Sequence, residues 1–136
     1  MGEKNISEYT EIILMTALIE SDNGYFLNQV KGPALGVFQM ETNTEKCIWE
    51  NYLKYKPELK KKVVDLMGND VENLSQLQTN LSYSIAMTYV FYKRLGKKLP
   101  NINDKLEMVK FHKKYYNTEK GKSKIETSLD KIVGMM

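Results

Sequence analysis

A carboxylic acid where an apolar helix runs out, followed by a glycine-punctuated loop that carries an amide, is an arrangement able to move a proton. In this chain the acid is Glu20, followed by Ser21, and the loop is Gly36-Val37-Phe38-Gln39-Met40. Desolvation at the wall of a cleft disfavours the charged form of a carboxyl group, so an acid placed there can keep a proton for transfer near neutrality. A glycosidic oxygen is a suitable acceptor, because its protonation lets the bond to the sugar break. Asp22 and Glu41 stand as candidate second carboxylates, which hydrolysis with inversion or through a covalent intermediate needs across the bond. Taken alone, each of these acids reads first as surface charge or a loop cap. The place at a helix end ahead of the glutamine loop gives Glu20 its functional reading.

Other chemistries find less support in the residue types. His112 is the only histidine, and a lone imidazole without companion ligands predicts no metal site. Cys47 is the only cysteine, so no internal disulfide can form, and its place in a helical stripe predicts a buried, inert thiol. No glycine-rich phosphate loop ending in Lys-Ser/Thr occurs, and no cofactor is implied. Trp49, Tyr83, Tyr89 and Tyr92 could stack on sugars, but their helical spacing reads first as core.

The chain has 136 residues, 42% of them hydrophobic and 27% charged, which predicts one globular domain over residues 1–136 with a real core. The net charge of +3 is small and scattered. It favours approach to an anionic polymer, but no recognition helix gathers the basic residues, and nucleic-acid binding is not expected. The apolar run Ile12-Ile13-Leu14-Met15-Thr16-Ala17-Leu18-Ile19 is too short and too poorly flanked for a secretory signal or a membrane span, so an integral membrane protein is not expected either.

The elements that must position the candidate acid are helical almost throughout. Asn5 with Glu8 reads as a capping box for a first helix, whose stripe of Ile6, Tyr9, Ile12, Ile13, Thr16, Ala17 and Ile19 runs up to Glu20. Residues 22–41 hold Asn23-Gly24, Gly32-Pro33 and Gly36, which break helices and predict a loop or short hairpin lining a cleft. A second helix begins near Thr44, with Ile48, Trp49, Tyr52 and Leu53 inward. It stops before Pro57, which suits the first turn of a third helix. That helix buries Leu59, Val63, Leu66 and Met67, leaves Lys60, Lys61 and Lys62 in solvent, and ends at Gly68-Asn69. From Leu77 to Leu95 the apolar residues Leu81, Ile85, Ala86, Met87, Tyr89, Val90 and Phe91 cover most faces of one helix, which predicts a central position. Gly96 stops it, another helix begins near Lys105, and Ile125, Leu129, Ile132 and Val133 predict a last helical segment.

In this order the motifs resemble those of the lysozyme-like lytic transglycosylases. The four are ALIES, Ala17 to Ser21; GPALGVFQME, Gly32 to Glu41; NLSYSIAMTYVFYKRL, Asn80 to Leu95; and KKYYNTEKGK, Lys113 to Lys122. The wording of the second and fourth is most similar to small phage-encoded members. The resemblance implies an all-α, lysozyme-like domain that cleaves peptidoglycan glycan strands between N-acetylmuramic acid and N-acetylglucosamine. It also implies a location in the phage virion or the infected-cell cytoplasm. Glu20 corresponds to the family's single acid and base, and Ser21 to a residue orienting substrate or carboxyl. Gln39 and Met40 correspond to the amide and the apolar wall of the substrate loop, Tyr116 to a phenol beside the carboxyl, and Asn117 to the next motif position. Val37-Phe38 replaces the family's usual Leu-Met, an exchange that should preserve packing. The alternative is a non-enzymatic subunit of the same shape that binds other phage virion or tail proteins, since a fold does not guarantee turnover.

Overall fold

A segment apolar on most of its faces has to be surrounded by other elements, and the helix Leu81–Arg94 is the one around which this chain is built. The computed structural model describes residues 3–21, 34–67, 76–117 and Ser128. In chain order these form α1 (Glu3–Ser21), β1 (Ala34–Leu35), β2 (Met40–Glu41), α2 (Thr42–Asn51), α3 (Pro57–Met67), α4 (Gln76–Thr79), α5 (Leu81–Arg94) and α6 (Lys105–His112). A 3-10 turn, Leu53–Tyr55, joins α2 to α3, and α6 runs on into a π-helical turn, Lys113–Asn117. The architecture is mostly helical. Among the described residues, no helix is long and apolar enough to cross a membrane.

α5 packs against α1, α2, α3 and α4. Its buried residues are Tyr83, Ser84, Met87, Thr88, Val90, Phe91 and Tyr92. Its ends are set by local chemistry. The Asn80 side chain accepts from the Tyr83 amide at 3.1 Å as an N-cap and donates to the Leu66 carbonyl at 2.8 Å, tying the start of α5 to the end of α3. At the other end Gly96 takes a φ of +64°, which the absence of a Cβ makes inexpensive, and its amide closes on Lys93 at 3.1 Å. Asp104 caps α6 in the same way as Asn80, accepting from the Glu107 amide at 3.1 Å.

The predicted loop region contains the short hairpin. β1 and β2 are antiparallel, with Ala34 opposite Glu41 and Leu35 opposite Met40. The turn between them closes through the Gln39 amide on the Gly36 carbonyl at 3.1 Å. Gly36 has φ +80° and Gln39 φ +49°. The left-handed region costs a residue with a Cβ about 1–2 kcal/mol, and the Gln39 side chain offsets part of this by donating from Nε2 to the Gly36 carbonyl at 2.9 Å. Phe38, in the position of the apolar exchange, is buried.

Several sequence expectations need correction. Asn5 lies inside α1 rather than ahead of it, because the helix already begins at Glu3. α2 starts at Thr42, with Glu41 in the N-cap position, so it follows β2 without a linker. Leu66, Leu81 and Ile85 are exposed although their stripes predicted burial. α5 therefore keeps one face in solvent. Cys47 is half-buried rather than buried, and Asn51 Nδ2 and Arg94 Nη1 donate to its sulfur at 3.3 Å and 3.7 Å. Gly68-Asn69 and the residues around Asn23 lie outside the described residues. So does the last predicted segment, apart from Ser128, which is helical and buried.

Candidate active site

α1 delivers Glu20 to its C-terminal turn with the side chain 11% exposed, so the carboxyl group is largely buried. One turn earlier Thr16 is fully buried. Its hydroxyl donates to the Ile12 carbonyl at 2.7 Å and lies 2.6 Å from the Tyr92 hydroxyl, which fixes α1 against α5 just beneath the acid. The Tyr92 phenol is raised well above its ordinary value, first by burial and then by the nearby Glu20 charge, with the Thr16 contact opposing.

The hairpin and α6 meet at the same place. The Tyr116 hydroxyl donates to the Phe38 carbonyl at 2.6 Å, joining two residues 78 positions apart and tying the glutamine turn to the end of α6. The Tyr116 ring stacks on Tyr92 at 5.6 Å and on His112 at 5.5 Å, and meets Phe91 edge-on at 4.8 Å. Its phenol too is pushed well above the usual range by burial, with the charges of Tyr92 and Glu20 adding and Thr88 opposing. The structure thus brings Glu20, the Phe38-Gln39 turn and Tyr116 to one locus.

The other sequence-derived candidates fall as follows. Ser21 closes α1, and Asn117 ends the π-helical turn. Gln39 is half-buried and directs its amide into its own turn. Met40 is 3% exposed and belongs to the core cluster, so it supports the hairpin from beneath. Glu41 is exposed at the N-cap of α2, where its side chain makes no cap hydrogen bond. Asp22 lies outside the described residues. Among the described residues no group of His, Cys, Asp and Glu stands together to hold a metal ion.

Two titratable residues that the motifs did not single out are structurally prominent. His112 is fully buried, with Nε2 2.9 Å from Glu20 Oε2. Its signal was available as a helical stripe, because Met108, Val109, His112 and Tyr116 recur at the spacing of one face. Glu45 is also fully buried, sharing a stripe with Ile48, Trp49 and Tyr52. Tyr83 donates its hydroxyl to Glu45 Oε2 and accepts from Trp49 Nε1 at 3.0 Å, while Glu45 Oε1 has no hydrogen-bond partner. Burial raises the Glu45 carboxyl above the ordinary glutamate value, and the Tyr83 hydrogen bond opposes this. An open cleft of about 860 Å³ lies toward the other end of α1, lined by Ser7, Glu8, Leu99, Lys110, Phe111 and Tyr115 among others. It includes none of the sequence-derived candidates.

No protein-family model matches the chain, and no curated protein and no solved structure matches it at a significant level.

Proposed function

We propose that this chain cleaves the glycan strands of bacterial peptidoglycan between N-acetylmuramic acid and N-acetylglucosamine, as a lysozyme-like phage endolysin or virion-associated lysin. Glu20 gives its proton to the glycosidic oxygen as the bond breaks. The resulting carboxylate then takes a proton back. If that proton comes from the sugar's own C6 hydroxyl, the product closes as a 1,6-anhydro ring; if it comes from water, the product is hydrolysed. Tyr116 holds the glutamine turn beside the acid, and the turn presents one side of the sugar groove. The observation that carries this reading is a largely buried Glu20 carboxyl near the Tyr116 phenol, whose hydroxyl in turn holds the Phe38 carbonyl of that turn.

The test is Glu20→Gln, which removes the transferable proton and nearly preserves shape. Purified sacculi treated with the wild type should release muropeptides, and the variant should release none while keeping its far-ultraviolet circular dichroism. Mass spectrometry of the products identifies the route, since the anhydro product lacks one water. Equal release by both proteins would remove Glu20 from the reaction.

A further inference from the structure

His112 faces Glu20 from a buried position. The imidazole is fully buried and stacked on the Tyr116 ring at 5.5 Å with 21° between the planes, and Tyr116 is itself pinned by the Phe38 carbonyl. Nε2 lies 2.9 Å from Glu20 Oε2 but makes no aligned hydrogen bond, so the contact is one of close approach. Nδ1 has no hydrogen-bond partner. A buried imidazolium would therefore carry one N–H with no acceptor, and among the described residues the carboxyl group opposite it is that of Glu20. The other titratable groups facing the pair, among the described residues, are the Tyr92 phenol of α5 and the Tyr116 phenol beyond α6. Burial holds both above the usual phenol range. His112 and Glu20 thus face each other directly inside this shell.

We infer that His112 is the positioning residue of the Glu20 carboxyl group and that the acid step requires its imidazole to be neutral. The inference rests on the sugar-cleaving reading for its substrate. In the acid step the Glu20 proton passes to the glycosidic oxygen, the bond from the sugar C1 to that oxygen breaks with its electron pair going to oxygen, and Glu20 is left as carboxylate. In the base step the carboxylate takes a proton from the C6 hydroxyl or from water as that oxygen bonds to C1. His112 keeps the same proton count throughout. An imidazolium would act against this cycle twice. It would favour the Glu20 carboxylate, which has no proton to give, and it would set a positive charge beside the developing oxocarbenium ion.

Two measurements test this, and only one needs turnover. Because the chain has a single histidine, nitrogen-15 NMR reports its ring without ambiguity. Glu20→Gln is expected to change the Nε2 shift and its course with pH, and an unchanged resonance would overturn the pairing. With sacculi as substrate, His112→Gln, checked for helical content, is expected to lower kcat with KM unchanged, and a kcat equal to that of the wild type would refute the inference. Should His112→Gln not fold, Glu20→Gln decides, since it leaves His112 in place. A wild type that releases no muropeptide overturns the sugar-cleaving reading, and the NMR comparison still decides the pair.

Discussion

Removal of one hydroxyl at Tyr83 should cost far more than its size suggests. Tyr83→Phe leaves the ring in its fully buried slot and opens almost no cavity, so the transfer term is near zero. What is lost is the donor to Glu45 Oε2 and the acceptor for Trp49 Nε1. Glu45 Oε1 already lacks a partner, so the substitution leaves the whole buried carboxyl group unsatisfied. An orphaned buried polar group costs about 1–3 kcal/mol, and the half-buried indole, which can turn toward water, adds about 1 kcal/mol or less. The sum is roughly 1–4 kcal/mol, a large share of a domain stability of about 5–15 kcal/mol. Urea denaturation followed by far-ultraviolet circular dichroism measures it without relying on Trp49 fluorescence, which the substitution itself disturbs. The same assay on Glu45→Met and on the double variant completes a cycle. Exchanging both partners for apolar groups removes the orphan, so the double variant should be less destabilised than the two single losses added together. A Tyr83→Phe loss below about 0.5 kcal/mol, the range of ordinary surface changes, or strict additivity in the cycle, would refute this account.

The Glu45 carboxyl also predicts a pH dependence. Its folded value is raised by burial, so the native state holds the proton more tightly than the unfolded chain. The corresponding stability is fully present below the ordinary glutamate range and is lost as pH rises through the folded value. Denaturation midpoints of the wild type should therefore decline over that interval, and Glu45→Gln should flatten the decline; equal slopes would exclude Glu45 as its source. Tyr116→Phe removes the bond between α6 and the glutamine turn. It should cost about 1–2 kcal/mol and speed hydrogen exchange of the Gln39 amide, while slow exchange in the variant would show that the turn holds without it.

What the sequence made legible was what local chemistry decides. Pro57 marks the start of α3, α6 begins at Lys105 and Gly96 ends α5, because such signals act within a few residues of themselves. The hairpin could be expected from its glycines, and Gly36 indeed takes a positive φ. Burial of particular apolar residues was less legible. Leu66, Leu81 and Ile85 sit at helical spacing yet face solvent, since periodicity marks a stripe and only the neighbouring elements decide how wide a stripe is covered. At the candidate site, motif order singled out Glu20 and Tyr116, whereas the contact between Glu20 and His112 spans 92 positions. It exists because α1 packs on α6, and no local spacing encodes that. Reading His112 only as a potential metal ligand overlooked that an imidazole can serve a single carboxyl group.

The winding of the chain changes at Lys113, and that change has a geometric consequence. Where hydrogen bonds skip five residues instead of four, each turn takes up more chain, so rings four positions apart come nearer to lying directly over one another. The overlap of the His112 and Tyr116 planes is what such a widened coil favours. A helical wheel drawn at constant pitch from Met108 onward therefore loses phase before it reaches Tyr116, and one residue removed between Lys113 and Tyr115 would swing the phenol off the ring stack while leaving the composition of the segment almost unchanged.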